Sequence, residues 1–283
     1  MTKKAAKLKF DEIGYWSEIK LEIIRKYAAA YSTILSAQTS PRLKHIYIDA
    51  FAGAGMHLSK ATGEFVLGSP LNALQISPPF FEYHFIDLDS SKTQNLRDLI
   101  GQRPDVRIYE GDCNQILLEK VFPHARFEQY RRALCLLDPY GLHLTWEVIK
   151  TAGHLKTIDM FLNFPVADMN RNVLWRNPDG VRKEDLRRMT AFWGDETWRD
   201  AAYSSREDLF GFSIEEKEDN EKVAASFRDR LKKAAGFEYV PKPLPMRNSK
   251  GAVVYYLIFA SQKPVASKIV QDIFAVYQQY GSK

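Results

Sequence analysis

The sequence predicts an α/β fold: a doubly wound, mostly parallel sheet with an antiparallel C-terminal edge strand, plus a helical insertion. Strand-sized apolar runs alternate with helical patterns through the first two-thirds of the chain, the rhythm of a parallel sheet wound with helices. From Val166 to Asn220 that rhythm is broken by a charged, tryptophan-bearing stretch that reads as mainly helical. A last strand–turn–strand pair then follows, as an antiparallel edge would. With 283 residues, 45% of them hydrophobic and 27% charged, the chain can bury one large core, so residues 1–283 are expected to form a single domain carrying the 166–220 insertion.

The first element is a helix over Trp16–Ser32, because Ile19, Ile23, Tyr27 and Ala30 recur on one helical face. Strands follow at His45–Ala50, Glu82–Asp87, Val106–Glu110, Ala133–Asp138 and Thr157–Asn163, with crossover helices at Ser90–Ile100, Cys113–Val121 and Trp146–Ala152. Ser59 to Ser69, holding Gly63 and Gly68, reads as a loop; the longer span Met56–Gly68 would serve as a lid or as a plain linker. After the insertion come a helix at Glu221–Ala235, a strand at Phe237–Val240, the turn PKPLPMRNSKG, a strand at Ala252–Ala260 and a helix near Pro264–Tyr280.

Composition removes several function classes. No run approaches the roughly 18 apolar residues of a membrane span. The basic start MTKKAAKLKFDE lacks the apolar core of a secretory signal, so a cytoplasmic protein is expected. Cys113 and Cys135 are too few for a disulfide scaffold, and the 6 histidines form no HxxxH or HExxH pair, so no metal site is expected. With 40 Lys and Arg against 35 Asp and Glu, the net charge of +5 points only weakly towards polyanions.

The sharpest local signal is Tyr47-Ile48-Asp49-Ala50-Phe51-Ala52-Gly53-Ala54-Gly55, a strand running directly into a glycine pair. Glycines there permit a tight turn and let a ligand lie against bare backbone, while Asp49 at the strand's end can accept from an amine or a cation. The pattern departs from the dinucleotide fingerprint GxGxxG, whose third glycine would fall at Leu58. Asp87 closes the second strand, where a carboxylate accepts both hydroxyls of a ribose. Asp112 follows the third strand in EGDCN, where it accepts an amine of an adenine ring or, equally, caps the next helix. The fourth strand ends in Asp138-Pro139-Tyr140-Gly141: an acceptor, a fixed carbonyl and a stacking face for a planar amine, or simply a Pro-Tyr-Gly turn.

Taken in order, these motifs resemble the S-adenosylmethionine-dependent methyltransferases with their Rossmann-like sheet, and more narrowly the three-Cys-motif partner protein (TcmP) family. The resemblance runs over nearly the whole chain: Trp16, Lys20-Leu21 and Tyr27 in the first helix, YIDAFAGAG, Gly68-Ser69-Pro70-Leu71, YHFIDLD, GDCN, LLDPYGL and the FLNFP strand at Phe161–Pro165. It implies S-adenosylmethionine as cofactor. Asp49, Gly53 and Gly55 would surround its methionine part, Asp87 would hold its ribose, Asp112 and Cys113 would flank the adenine, and Phe51, Leu88 and Asp138 would also contact the cofactor. Asp138, Pro139 and Tyr140 would face the methyl-accepting group.

The DPYG tetrad resembles the Asp-Pro-Pro-aromatic signature of amino-methyltransferases, with Tyr140 in the second proline's place and Gly141 in the aromatic's. The expected reaction is methyl transfer to an amine of a nucleic acid, RNA or DNA, or of a nucleotide. Arg171, Trp175, Arg176, Arg187 and Arg188 of the insertion would contact phosphates and stack on bases, joined by Arg182, Lys183, Trp193 and Trp198. The same stretch also reads as an ordinary solvated helix, since Glu184, Asp185, Asp195 and Glu196 interleave. Two alternatives stay open: a cofactor-binding but catalytically degenerate partner of a three-Cys-motif, radical-type protein, and a methyltransferase of small molecules.

Overall fold

The computed structural model describes residues 10–207 and 213–278. Strand β1 (Glu12–Ile13) leads into α1 (Tyr15–Ser36), followed by β2 (Lys44–Asp49), the hairpin β3 (Met56–Ser59) and β4 (Phe65–Leu67), and α2 (Ser69–Leu74). Next come β5 (Glu82–Asp87), α3 (Ser90–Ile100), β6 (Val106–Glu110), α4 (Cys113–Ile116) continued as a π-turn over Leu117–Val121, β7 (Arg131–Leu137), α5 (Trp146–Leu155) and β8 (Ile158–Phe164). The later elements are α6 (Val166–Asn172), α7 (Lys183–Trp193), α8 (Trp198–Ala202), β9 (Tyr203–Glu207), β10 (Ser213–Lys217), α9 (Asn220–Lys233), β11 (Leu244–Arg247), β12 (Val253–Ala260) and α10 (Pro264–Gln278).

The central sheet has 7 strands in the order β11-β12-β8-β7-β2-β5-β6. β2 pairs in parallel with both β5 and β7, β5 with β6, and β7 with β8. After β2 the chain builds outwards through β5 and β6; it then returns to the other side of β2 with β7 and β8. That reversal opens a crevice at the carboxyl ends of β2 and β7, where open α/β sheets bind ligands.

Two apolar layers clothe the sheet. Ile23, Tyr27, Phe80, Phe85, Phe161, Phe259 and Phe274 fill the layer under α1, α2 and α10. Leu137, Ile149, Phe164, Phe192, Trp198 and Phe227 fill the layer under α5, α7 and α9.

Several expectations are corrected. The antiparallel strand β12 is not the edge; it lies between β8 and β11, and β11 closes the sheet. The expected strand Phe237–Val240 makes only an isolated bridge, Tyr239 to Ser261. The strand forms instead at Leu244–Arg247, inside the expected turn. Leu244 and Met246 alternate inwards against partly exposed Pro245 and Arg247, and an edge strand tolerates the proline because one side of its ladder is unpaired.

Nor is Ser59–Ser69 a loop throughout, since Phe65–Leu67 pairs antiparallel with Met56–Leu58, and β1 adds to β3 in parallel. The amide of Gly68 donates to the carbonyl of Gly55 at 2.8 Å and closes this hairpin on the glycine turn. Among its described residues the segment 166–220 holds, besides α6, α7 and α8, the antiparallel pair β9–β10. Trp193 and Trp198 are buried in the second layer rather than offered as stacking surfaces, and their indole N–H groups donate to the Thr197 and Thr190 hydroxyls. The expected last helix ends within the description at Gln278, and Tyr280 lies outside the described residues. Among the described residues no helix is long and apolar enough to cross a membrane.

Candidate functional site

The crevice is built around the turn that follows β2. Asp49, the last residue of that strand, is fully buried; its Oδ1 accepts from the Phe51 amide at 3.2 Å and its Oδ2 has no hydrogen-bond partner. Burial pushes the carboxyl up to about 7, while the Ser69 hydroxyl and the Phe51 amide pull it back. A buried carboxylate oxygen without a donor is costly to keep, and a cationic ligand group would relieve it.

Gly53 and Gly55 turn the chain away with φ of +65° and +86°. A Cβ on Gly53 would meet nothing within 4 Å, so the backbone there faces open space. One on Gly55 would come within 2.8 Å of the Leu96 Cδ1.

Asp87, at the end of β5, braces this turn. Its Oδ2 accepts from the Gly53 amide at 2.8 Å and its Oδ1 from the Asp89 amide at 2.9 Å, and each oxygen keeps acceptor capacity beyond that bond. The next side chain, Leu88, is 75% exposed. Asp112 caps α4 through Oδ1, which accepts from the amides of Asn114 at 2.8 Å and Gln115 at 3.2 Å; its Oδ2 takes no donor among the described residues. Capping and ligand binding are thus open to the same carboxylate. Cys113 is buried, and burial pushes its thiol up to about 12, so it serves as wall rather than as nucleophile.

Asp138 follows β7 and forms an ion pair, through Oδ2, with the Lys20 ammonium of α1. Burial alone would lower the pKa of Lys20, yet Asp138 and Tyr255 hold it above its ordinary value; the ammonium also lies 5.3 Å from the centre of the Tyr255 ring. Asp138 Oδ1 has no partner among the described residues. The carbonyl of Pro139 accepts from Asn163 Nδ2 at 3.1 Å, and Tyr140 stands 76% exposed.

Beyond it the Leu142 amide donates to Asp168 Oδ2 at 3.2 Å, and a Cβ on Gly141 would come within 2.7 Å of that same oxygen. Asn114 fastens the loop from the other side, donating to the His143 carbonyl at 2.9 Å and accepting from the Thr145 amide at 2.8 Å. The DPYG loop is therefore held by α1, α4, β8 and α6 together.

The insertion residues divide. Arg171, Trp175 and Arg176 are exposed next to the β9–β10 hairpin; the Trp175 indole donates to the Arg171 carbonyl at 2.9 Å, and the Tyr203 hydroxyl donates to the Trp175 carbonyl at 2.8 Å. Arg187 lines a separate shallow groove with Trp146, Lys183 and Arg199. Arg188 is turned inwards, pairing with Asp185 at 3.2 Å and Asp168 at 3.5 Å, so it braces the support of the DPYG loop.

Lys20, Asn114, Asn163 and Asp168 were not nominated as site residues by sequence reasoning. Lys20 did leave a signal: it falls on the buried stripe of α1 with Ile24 and Tyr27, at spacings of four and seven, where an unpaired lysine would be expensive.

Neither protein-family models nor curated protein sequences match the chain. Among solved structures it is similar to protein LPL1258 from Legionella pneumophila, of the DUF519 family, with 12% identity and a TM-score of 0.44 over 91% of this chain and 92% of that one. It is similar to the DszA carbon methyltransferase, with 15% identity and a TM-score of 0.44 over 87% of this chain and 54% of that one. A DUF574 family protein from Streptomyces avermitilis gives 10% identity and a TM-score of 0.42 over 87% and 83% of the two chains.

Proposed function

We propose that the chain binds S-adenosylmethionine at the carboxyl edge of the sheet and transfers its methyl group to an amine of a nucleic acid or nucleotide. The observation that carries this reading is the buried, donor-less Oδ2 of Asp49, set beside the open backbone of Gly53 at the reversal point of the sheet. The residues present fit the cofactor. Asp49 would take its amino group, Asp87 its ribose hydroxyls, Leu88 one face of its adenine, and Asp112 Oδ2 the exocyclic amine.

The cofactor supplies an electrophilic methyl on a sulfonium, and alignment of the acceptor falls to this chain. Lys20 neutralises one oxygen of Asp138 and fixes its rotamer, while Oδ1 accepts a hydrogen bond from the amine and stabilises the positive charge that grows on nitrogen. The Pro139 carbonyl, steadied by Asn163, offers a second acceptor. Arg171, Arg176 and Arg187 would meet phosphates.

A second reading is favoured by Tyr140, which stands 76% exposed and makes no hydrogen bond or ring contact among the described residues that would fix it as a base platform. In that reading the chain binds the cofactor and serves as a degenerate partner of a three-Cys-motif, radical-type protein. Calorimetry with S-adenosylmethionine, followed by transfer of a labelled methyl to tRNA, rRNA and DNA, separates the two. We expect binding that is lost in Asp87→Ala, and transfer that falls at least a hundredfold in Asp138→Asn. Binding without transfer to any acceptor favours the partner reading; no binding removes both.

A further inference from the structure

The opposite edge of the sheet carries a second cavity. About 370 Å³ of space lies where α1 ends, β7 and β8 begin and α10 starts, at the small end of the range for ligand sites. Its walls are apolar: Ile34 and Leu35 of α1, Leu43 before β2, and Val265 and Ile269 of α10. The polar groups at its rim are unevenly charged. Arg132, Lys156 and Lys263 line it against a single acid, Asp159.

That acid is already satisfied. Its Oδ2 accepts from the Tyr27 hydroxyl at 2.6 Å and its Oδ1 from the Ser261 hydroxyl at 2.5 Å. Burial pushes it up to about 6 while the two hydroxyls and Lys263 pull it back, so at neutral pH it keeps its charge, but both its oxygens are taken by the hydroxyls and neither pairs with Arg132. Lys156 spends its ammonium on the Gly236 carbonyl and on Gln262 Oε1 at 3.3 Å. Arg132 has no carboxylate within ion-pair distance among the described residues. Its guanidinium lies 4.3 Å from the centre of the Phe127 ring and donates to the Arg131 carbonyl at 2.7 Å, which leaves most of its donor fork unused. An apolar chamber with an unpaired guanidinium at its lip is complementary to a molecule with one anionic end and an apolar body.

We propose that this cavity binds a small amphipathic carboxylate, a medium-chain acyl or aryl-alkyl monocarboxylic acid, with its carboxylate on Arg132 and its body between α1 and α10. The site is independent of the crevice at the carboxyl edge. A free fatty acid and an aromatic acid share this chemistry, and the experiment distinguishes them.

The full chain is titrated by calorimetry with octanoate and with 4-phenylbutyrate, and in parallel with methyl octanoate and octylamine. Octanoate or 4-phenylbutyrate, or both, should bind, the stronger of the two naming the class, with methyl octanoate and octylamine at least tenfold weaker. Arg132→Gln should weaken carboxylate binding at least tenfold without lowering the thermal midpoint, because the side chain is partly exposed and makes no ion pair among the described residues. Ile269→Trp should abolish binding by filling the chamber. Equal binding of the ester or the amine, no carboxylate binding at millimolar concentration, or binding untouched by Arg132→Gln would each overturn the proposal.

Discussion

Asp49 carries the most informative titration in the molecule. Its carboxyl moves from an ordinary 3.8 to about 7 when the chain folds, chiefly through burial. Between those values the native state holds a proton that the unfolded state has lost, so the group's contribution to stability is full below pH 4 and fades as pH rises through 7. In urea unfolding followed across pH, Asp49→Asn should match the wild type near pH 4 and exceed it by on the order of 3 kcal/mol at pH 8. A difference that stays flat across that range would mean the carboxyl is not strained as described. The Lys20–Asp138 pair makes the opposite point, since an exposed-looking acid after a strand turned out to have a buried lysine as its counter-ion. Sequence reasoning found the acid from its place at a strand end. The lysine sits 118 positions away, and only the packing of α1 across the crevice brings the two together.

Among the elements, the glycine turn was legible because it answers a local question: which backbone lets the chain leave β2 and double back. Gly53→Ala and Gly55→Ala both oppose a positive φ, but only the second also drives a Cβ to 2.8 Å from Leu96. The first should cost about 1 kcal/mol and the second about 2–3 kcal/mol, measured by chemical denaturation. If Gly53→Ala proves the costlier, the open space beside it is not as described. In the segment 166–220 the use of the arginines was not legible. Helical periodicity places Arg187 and Arg188 one step apart, which points them in different directions: Arg187 to solvent and Arg188 to Asp168 and Asp185. Arg187→Ala should leave the unfolding midpoint unchanged, its loss falling on the phosphate contact proposed for it; Arg188→Ala should lower stability by about 1–2 kcal/mol. Equal stability losses would erase the distinction. Strand β11 went unread because Pro245 within it, Pro243 just before it and a four-residue length hide its alternation, and edge pairing rather than propensity makes it a strand.

At the scale of the whole molecule, one sheet shared by two apolar layers should make unfolding a single event. Trp146, Trp193 and Trp198 all report on the layer under α5, α7 and α9, whereas Phe259 packs on the other face, with ring centres 4.8 Å from Tyr27 and 5.0 Å from Phe161. Phe259→Ala should cost about 3–5 kcal/mol and shift the tryptophan-detected and far-ultraviolet midpoints equally, although no tryptophan of that group touches the site of change. Separate midpoints would mean that the layers unfold independently. The parallel core was readable from β2 to β8 because strands buried on both faces are apolar runs, and a run needs no knowledge of its neighbours to be recognised. By itself the sequence determined the alternation of strands and helices, the glycine turn, and the acids that end β2 and β5, all of them consequences of local backbone geometry and burial. Only the tertiary structure decided the order of the last two strands, the counter-ion of Asp138, the capping of α4 by Asp112 and the burial of Trp193 and Trp198. Each of those depends on which surfaces meet, and residues far apart in sequence become partners only when the layers close.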